Sequence, residues 1–326
     1  MVDQNSTWDQ SEMLNLEEVE RASRKEYERL SALRPVQRFY HRILARVWKV
    51  LNRISPTSYL AFRLFWLGVF VYVHRRFPRR ERLYTDMLYF QAIRSELLKP
   101  LRVETTDKFT AKDYITRKLG AEFAVPTLAI LNSPQEVDAY QFPDDCVIKP
   151  THGCGFVIQR RDGNGFDKSK IKAWFDMSYF TPSKELNYRD LVPRVIVEPY
   201  ALGQFRPMEC KLFFCDGHPL FVQMFDYAPQ LSRRHVREYT MDWQPIDMKF
   251  EDRIVLLPCP QPECFDAMKD IGCKIAEDFE GIVRVDFYYH GARFCIGEIT
   301  NLPSGARTRV PNLSVEREFS KRIGLH

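Results

Sequence analysis

Residues 284–301 read RVDFYYHGARFCIGEITN. Two β-type runs flank Gly291, a turn residue, and this pattern predicts a hairpin. One strand carries Arg284 and Asp286, and its neighbour carries Glu298 within Gly297–Glu298–Ile299–Thr300–Asn301. Neighbouring strands bring Asp286 and Glu298 within reach of one divalent ion. Hard carboxylate oxygens that share an ion with phosphate oxygens suit Mg²⁺. Taken singly, each residue has an ordinary explanation: Arg284 and Asp286 as a solvated ion pair, Glu298 as a cap for the following loop.

Three stretches upstream give the hairpin its context. Val147–Ile148–Lys149–Pro150 is an apolar strand that ends on a lysine and runs into Thr151–His152–Gly153–Cys154–Gly155. Such a lysine, with bare backbone N–H groups from a glycine-bearing turn, is suited to phosphate. Asp107–Lys108 leads a helical stretch through Lys112. Val195–Ile196–Val197–Glu198–Pro199–Tyr200 is a further apolar strand, followed by Ala201 and then by Glu209 and Lys211. A lone lysine at a strand end, or a lone loop histidine such as His152, is more often structural than functional. The order of the full set, within about 200 residues, is what carries the signal.

Short β-type runs alternate with helical stretches from Asp107 onward, and turns at Asp162–Gly165, Asp216–Gly217 and Gly291 suggest hairpins. This texture predicts an α+β fold rather than a doubly wound parallel sheet. Neither GxGxxG nor GxxxxGK[ST] occurs, which disfavours dinucleotide and Walker-type phosphate loops.

The chain has 326 residues, 45% apolar and 28% charged. That composition excludes a mainly disordered chain, a collagen-like chain and a small disulfide scaffold. The eight cysteines form no CxxC pair and several lie in apolar runs, as expected of free thiols in a reducing cytoplasm. The polar, acidic N-terminus is unlike a secretory signal.

The net charge of +5 conceals an asymmetry. From Arg29 to Arg80 there are twelve Lys and Arg and no Asp or Glu, so the remainder carries −7. Placed on a helix, Arg34, Arg38, Arg42, Arg46, Lys49 and Arg53 share one arc, and the apolar residues Val36 to Ile54 lie opposite. The apolar run Tyr59–Val73 follows; as a helix it reaches about 22 Å, short of a bilayer core of about 30 Å. Residues 34–73 are therefore an expected contact for an anionic membrane surface, with packing against the body as the alternative. No recognisable nucleic-acid-binding motif is present.

The sequence resembles the ATP-grasp superfamily, and within it the TupA-like branch associated with teichuronopeptide and surface-polysaccharide biosynthesis. The resemblance runs from about Asp107 to Pro311 through DKFTAKDYI, VIKPTHGCG, VIVEPY, ECKLFFCDG, YTMDW, RVDFYY and GEITNLPSG. It implies two α+β subdomains that clasp ATP, with a basic, mainly helical region over 1–105 and the ATP-grasp domain over 106–326. Lys108 and Lys149 would contact phosphates, under a loop formed around His152, Gly153 and Gly155. The strand end Glu198–Pro199–Tyr200–Ala201 would face adenine, Glu209 the ribose, and Lys211 would belong to the same nucleotide-binding group. Asp286 and Glu298 would hold Mg²⁺, with Arg284 and Lys149 serving the transferring phosphoryl group. Thr300 stands where many relatives have a metal-binding asparagine.

The activity implied is a carboxylate–amine ligase acting through an acyl-phosphate. Its substrates would be an amino acid or amine and a carboxylate-bearing sugar unit. The alternatives are a phosphotransferase to a glycan hydroxyl and a nucleotide-binding scaffold without turnover. The expected location is cytoplasmic, peripheral on the inner face of the cell membrane.

Overall fold

The computed structural model describes residues 58–205, 207–226, 235–246, 254–255 and 259–325. The basic amphipathic segment 34–53 lies outside the described residues. Described helices are α1 (Tyr59–His74), α2 (Tyr84–Ala92), α3 (Pro100–Glu104), α4 (Thr110–Leu119), α5 (Pro134–Ala139), α6 (Lys168–Lys172), α7 (Phe180–Ser183), α8 (Phe265–Ala276) and α9 (Leu313–Arg322). Strands are β1 (Ala129–Leu131), β2 (Cys146–Pro150), β3 (Ile158–Arg160), β4 (Val195–Glu198), β5 (Met208–Cys215), β6 (His218–Asp226), β7 (His235–Tyr239), β8 (Ile254–Val255), β9 (Ile282–His290) and β10 (Arg293–Thr300).

Two sheets divide the strands. The smaller has the order β1-β4-β2-β3 and the larger β10-β9-β5-β6-β7-β8. All pairings are antiparallel except β7 with β8. The expected α+β architecture is thus present. Asp216 and Gly217, at φ 50° and 80°, turn β5 into β6, and Gly291 turns β9 into β10. Two consecutive positive φ values are what a tight two-residue hairpin turn demands. The turn at Asp162–Gly165 ends β3 but leads into α6, not into another strand, because Asp167 caps that helix by accepting from Ser169 N at 2.9 Å.

Strand alternation gives the larger sheet two different faces. Cys210, Leu212 and Phe214 of β5 join Met268, Ile271 and Ile275 of α8 in one apolar core. A Cβ on Gly272 would lie 2.4 Å from the Phe214 ring, so only glycine lets the helix settle this close. The opposite face carries Phe213, stacked on Phe221 at 4.1 Å, and both meet the edge of Tyr84 from α2. Phe319 of α9 closes this aromatic group. The smaller sheet has its own core around Val195, Val197, Ile148, Ile171 and Trp174.

The segment 59–73 forms α1, as its hydrophobicity requires. Phe62, Phe65, Trp66, Val69 and Phe70 are buried, whereas Tyr59, Leu60, Arg63 and Leu64 are exposed. Among the described residues no helix is long and apolar enough to cross a membrane. The eight cysteines are free, and five of them are buried.

Candidate active site

The face of the larger sheet that bears Phe213 also bears the polar residues singled out by the sequence. In the β9–β10 ladder Asp286 pairs with Glu298 and Arg284 with Thr300. In the β5–β9 ladder Lys211 pairs with Asp286 and Phe213 with Arg284. Directly paired residues share a face, so Arg284, Asp286, Glu298, Thr300 and Lys211 converge. A bulge between Ile296 and Glu298 makes this convergence compatible with the core. It lets Ile296 and Ile299, three residues apart, both point inward. Gly297 at the bulge is crossed by the Tyr288 ring, which a Cβ would approach to 2.5 Å.

Within this group Asp286 is 7% exposed and takes Arg284 Nε at 2.5 Å and Arg284 NH2 at 2.7 Å. Lys211 Nζ lies 3.0 Å from Asp286 and 3.1 Å from Glu209. Arg284 also donates to Thr300 Oγ1 at 2.9 Å, and the Thr300 hydroxyl donates to Glu298 at 3.1 Å. Burial pushes the Asp286 carboxyl upward, but Arg284 and Lys211 outweigh it and hold the group below its ordinary value.

A second charged group lies at the end of the smaller sheet. Glu198, 4% exposed, bridges Lys112 Nζ at 2.5 Å and Lys149 Nζ at 2.9 Å. Burial disfavours the Lys149 charge, yet Glu198 raises its pKa above the ordinary lysine value. Lys112 is pulled the other way, because burial there exceeds the help from Glu198. Lys112 also donates to the Val125 carbonyl at 2.7 Å and to Thr127 Oγ1 at 3.1 Å. The two charged groups sense each other: Glu298 contributes to the Lys149 shift.

The loop after β2 is tied to the start of α4. Lys108 Nζ donates to the Gly153 carbonyl at 2.5 Å, and Thr151 Oγ1 donates to Asp107 at 2.7 Å. Gly155, at φ 83°, has nothing within 4 Å of a would-be Cβ, so the loop is open at that point. His152 is turned inward, its Nε2 3.0 Å from the Trp174 carbonyl oxygen, and burial lowers its pKa. After β4, the Tyr200 hydroxyl donates to the Arg160 carbonyl and its ring packs on Phe205, while Ala201 is buried and Pro199 half-buried.

Lys112 was missed as a site residue by sequence reasoning, although it stands four residues after Lys108, in the first turn of α4. The donor set of Asp286, Glu298 and the Thr300 hydroxyl fits Mg²⁺. Among the described residues no cluster of three or more His, Cys, Asp or Glu exists. Mg²⁺ is commonly held by one or two carboxylates that share it with substrate phosphates, and needs no all-protein cage.

Comparison with known families yields a match to the TupA-like ATPgrasp model over residues 91–323. Comparison with curated proteins yields no match. Among solved structures, the chain is similar to D-alanine–D-alanine ligase from Bacillus anthracis complexed with ATP, at 16% identity and TM-score 0.35, covering 62% of this chain and 57% of that one. It is similar to D-alanine–D-alanine ligase from Helicobacter pylori at 14% identity and TM-score 0.39, covering 68% and 61%. It is also similar to N5-carboxyaminoimidazole synthetase from Staphylococcus aureus complexed with ADP, at 15% identity and TM-score 0.37, covering 66% and 46%. The chain thus spans about six-tenths of the length of the D-alanine ligases it matches.

Proposed function

Since the chain belongs to the TupA-like ATP-grasp family, we propose that it is an ATP- and Mg²⁺-dependent ligase joining a carboxylate to an amine. Its fold is the ATP-grasp fold. The observation that supports this activity best is the pairing of Asp286 with Glu298 on one sheet face beside Arg284. Lys108 and Lys149 neutralise the incoming triphosphate, and the Gly153–Gly155 turn offers it backbone N–H groups. Glu198 to Ala201 face adenine, and Glu209 faces the ribose. Asp286, Glu298 and Thr300 would hold Mg²⁺, which when bound would neutralise charge on the phosphate oxygens. Arg284 stabilises the phosphoryl group as a carboxylate oxygen attacks it, a service that is mostly electrostatic. The resulting acyl-phosphate then meets an amine. By family analogy the substrates are an amino acid or amine and a carboxylate-bearing unit of a surface polysaccharide.

Hydroxylamine tests this chemistry. With ATP, Mg²⁺ and a panel of uronic acids and amino acids, at least one carboxylate should yield a hydroxamate detected by mass. A stable phosphoester formed instead would assign the chain to phosphotransfer to a hydroxyl. ATP binding without either product would leave a non-catalytic scaffold.

The proposed location is the inner face of the cell membrane. This rests on the exposed Leu60, Leu64 and Tyr59 beside Arg63, in a stretch of chain without acidic residues. The full chain should bind anionic liposomes, less tightly at higher salt, and Leu60→Asp/Leu64→Asp should weaken that binding by about tenfold or more. Equal binding by the variant would remove α1 from the membrane contact.

A further inference from the structure

Glu185 follows α7 in a turn with Lys184 at φ 60°. It is 5% exposed, and among the described residues its carboxylate has neither a hydrogen bond nor an ion pair. Its oxygens are not among the fully enclosed unbonded atoms, so the carboxylate faces space that solvent reaches and a ligand can supply the missing donor there. The position of this residue is fixed from both sides. Asn187, two residues on, donates to Thr106 Oγ1 at 2.8 Å, and Asn301 donates to the same oxygen at 3.0 Å. Asn301 immediately follows Thr300. Arg307 donates to the Ser183 carbonyl at 2.8 Å. Between Asn301 and Arg307, Gly305 runs so close that a Cβ there would lie 3.1 Å from Glu185 Oε1. Glu185 is thereby held against the loop that leaves the metal-binding end of β10.

Glu185 interacts with charged and titratable groups from several elements. Arg307 and Glu298 act on it from the β10 end, and it acts in turn on Tyr179, Tyr188 and Cys154. The Tyr179 and Tyr188 rings lie 4.5 Å apart. An anionic substrate is disfavoured beside two carboxylates. A primary ammonium brings an opposite charge, three donors and an affinity for aromatic faces.

We propose that Glu185 receives the ammonium group of the acceptor and takes its proton, which makes the acceptor a primary amine. The assignment rests on the ligase reading above. The proton passes from R–NH₃⁺ to the Glu185 carboxylate, and the freed nitrogen lone pair forms the C–N bond at the acyl carbon. The C–O bond to phosphate breaks, inorganic phosphate leaves with the electron pair, and the remaining surplus N–H proton goes to that phosphate. Burial raises the Glu185 carboxyl to about 7, which suits a group that both binds an ammonium and accepts its proton near neutrality.

The test uses the full chain loaded with a non-hydrolysable ATP analogue and Mg²⁺. Ethanolamine, putrescine, glucosamine and the common amino acids are titrated calorimetrically into wild type, Glu185→Gln and Glu185→Asp. At least one amine should bind wild type, and bind Glu185→Gln about 10- to 100-fold more weakly. Glu185→Asp should recover part of the loss. Wild-type affinity should fall as pH drops below about 7, where Glu185 becomes protonated before the amine arrives. Unchanged affinity in Glu185→Gln, or no amine binding to wild type, overturns the proposal. Analogue binding by each variant reports that it is folded. Failure of the analogue to bind wild type would instead refute the ATP-dependent reading.

Discussion

Replacing Asp286 and Glu298 together, as Asp286→Asn/Glu298→Gln, is expected to lower Mg²⁺-dependent ATP turnover by a factor of about 10³ or more. The measurement is ATP hydrolysis and nucleotide affinity over a Mg²⁺ titration. The single variant Glu298→Gln separates ligation from folding. Among the described residues Glu298 has no cation bonded to it and its carboxylate accepts from the Thr300 hydroxyl alone, so its loss should remove the ion while leaving the ion pairs of Arg284, Asp286 and Lys211 in place. Unchanged ATP affinity and unchanged Mg²⁺ dependence in the double variant would refute the metal assignment.

Glu198→Gln should produce the largest loss of stability. The carboxylate holds two lysines, Lys112 and Lys149, in a place where little water reaches. Removing one partner from a buried charge group costs about 3–5 kcal/mol, because the remaining charges are left uncompensated. Chemical denaturation should show this as a lower midpoint with an unchanged slope. The acid side offers a second readout. Burial alone would raise the Glu198 carboxyl, but Lys149 and Lys112 hold it below its ordinary 4.5. A carboxyl depressed in the folded state stabilises fully above its ordinary value and loses that contribution as pH falls through the lowered one. Wild type should therefore lose stability in that window more steeply than Glu198→Gln. A variant of wild-type stability, with the same acid profile, would show the triad to be energetically neutral.

The parts of this fold legible in the sequence were those in which local rules and chemistry coincide. Asp286 and Glu298 lie on strands joined by a glycine turn, so the sequence put them on neighbouring strands, but it is the bulge at Gly297 that pairs them directly. Lys149 was legible as a lysine ending an apolar strand. Less accessible were groupings made by register and by long-range packing. Lys211 meets Asp286, 75 residues further along the chain, because β5 lies between β6 and β9 in the sheet. Lys112 reaches Glu198 only through the approach of α4 to β4. Glu185 sits in an irregular turn without a motif, and its setting comes from Asn187, Asn301 and Gly305, none of which advertises it. His152 read as part of the phosphate loop, whereas its ring bonds to the backbone at Trp174.

The resident cations of Asp286 bear on how the protein is made. A carboxylate buried on a sheet face would ordinarily oppose closure of that sheet until a countercharge arrived. Here Arg284, from the same strand, and Lys211, from the next, supply the countercharge as soon as β5 and β9 pair. Pairing of β5 with β9 thus brings its own countercharge, unlike the folding of small domains whose binding energy for an ion is their folding energy. On the proposed Mg²⁺ reading, the sheet would close first and the ion would be recruited to a finished site.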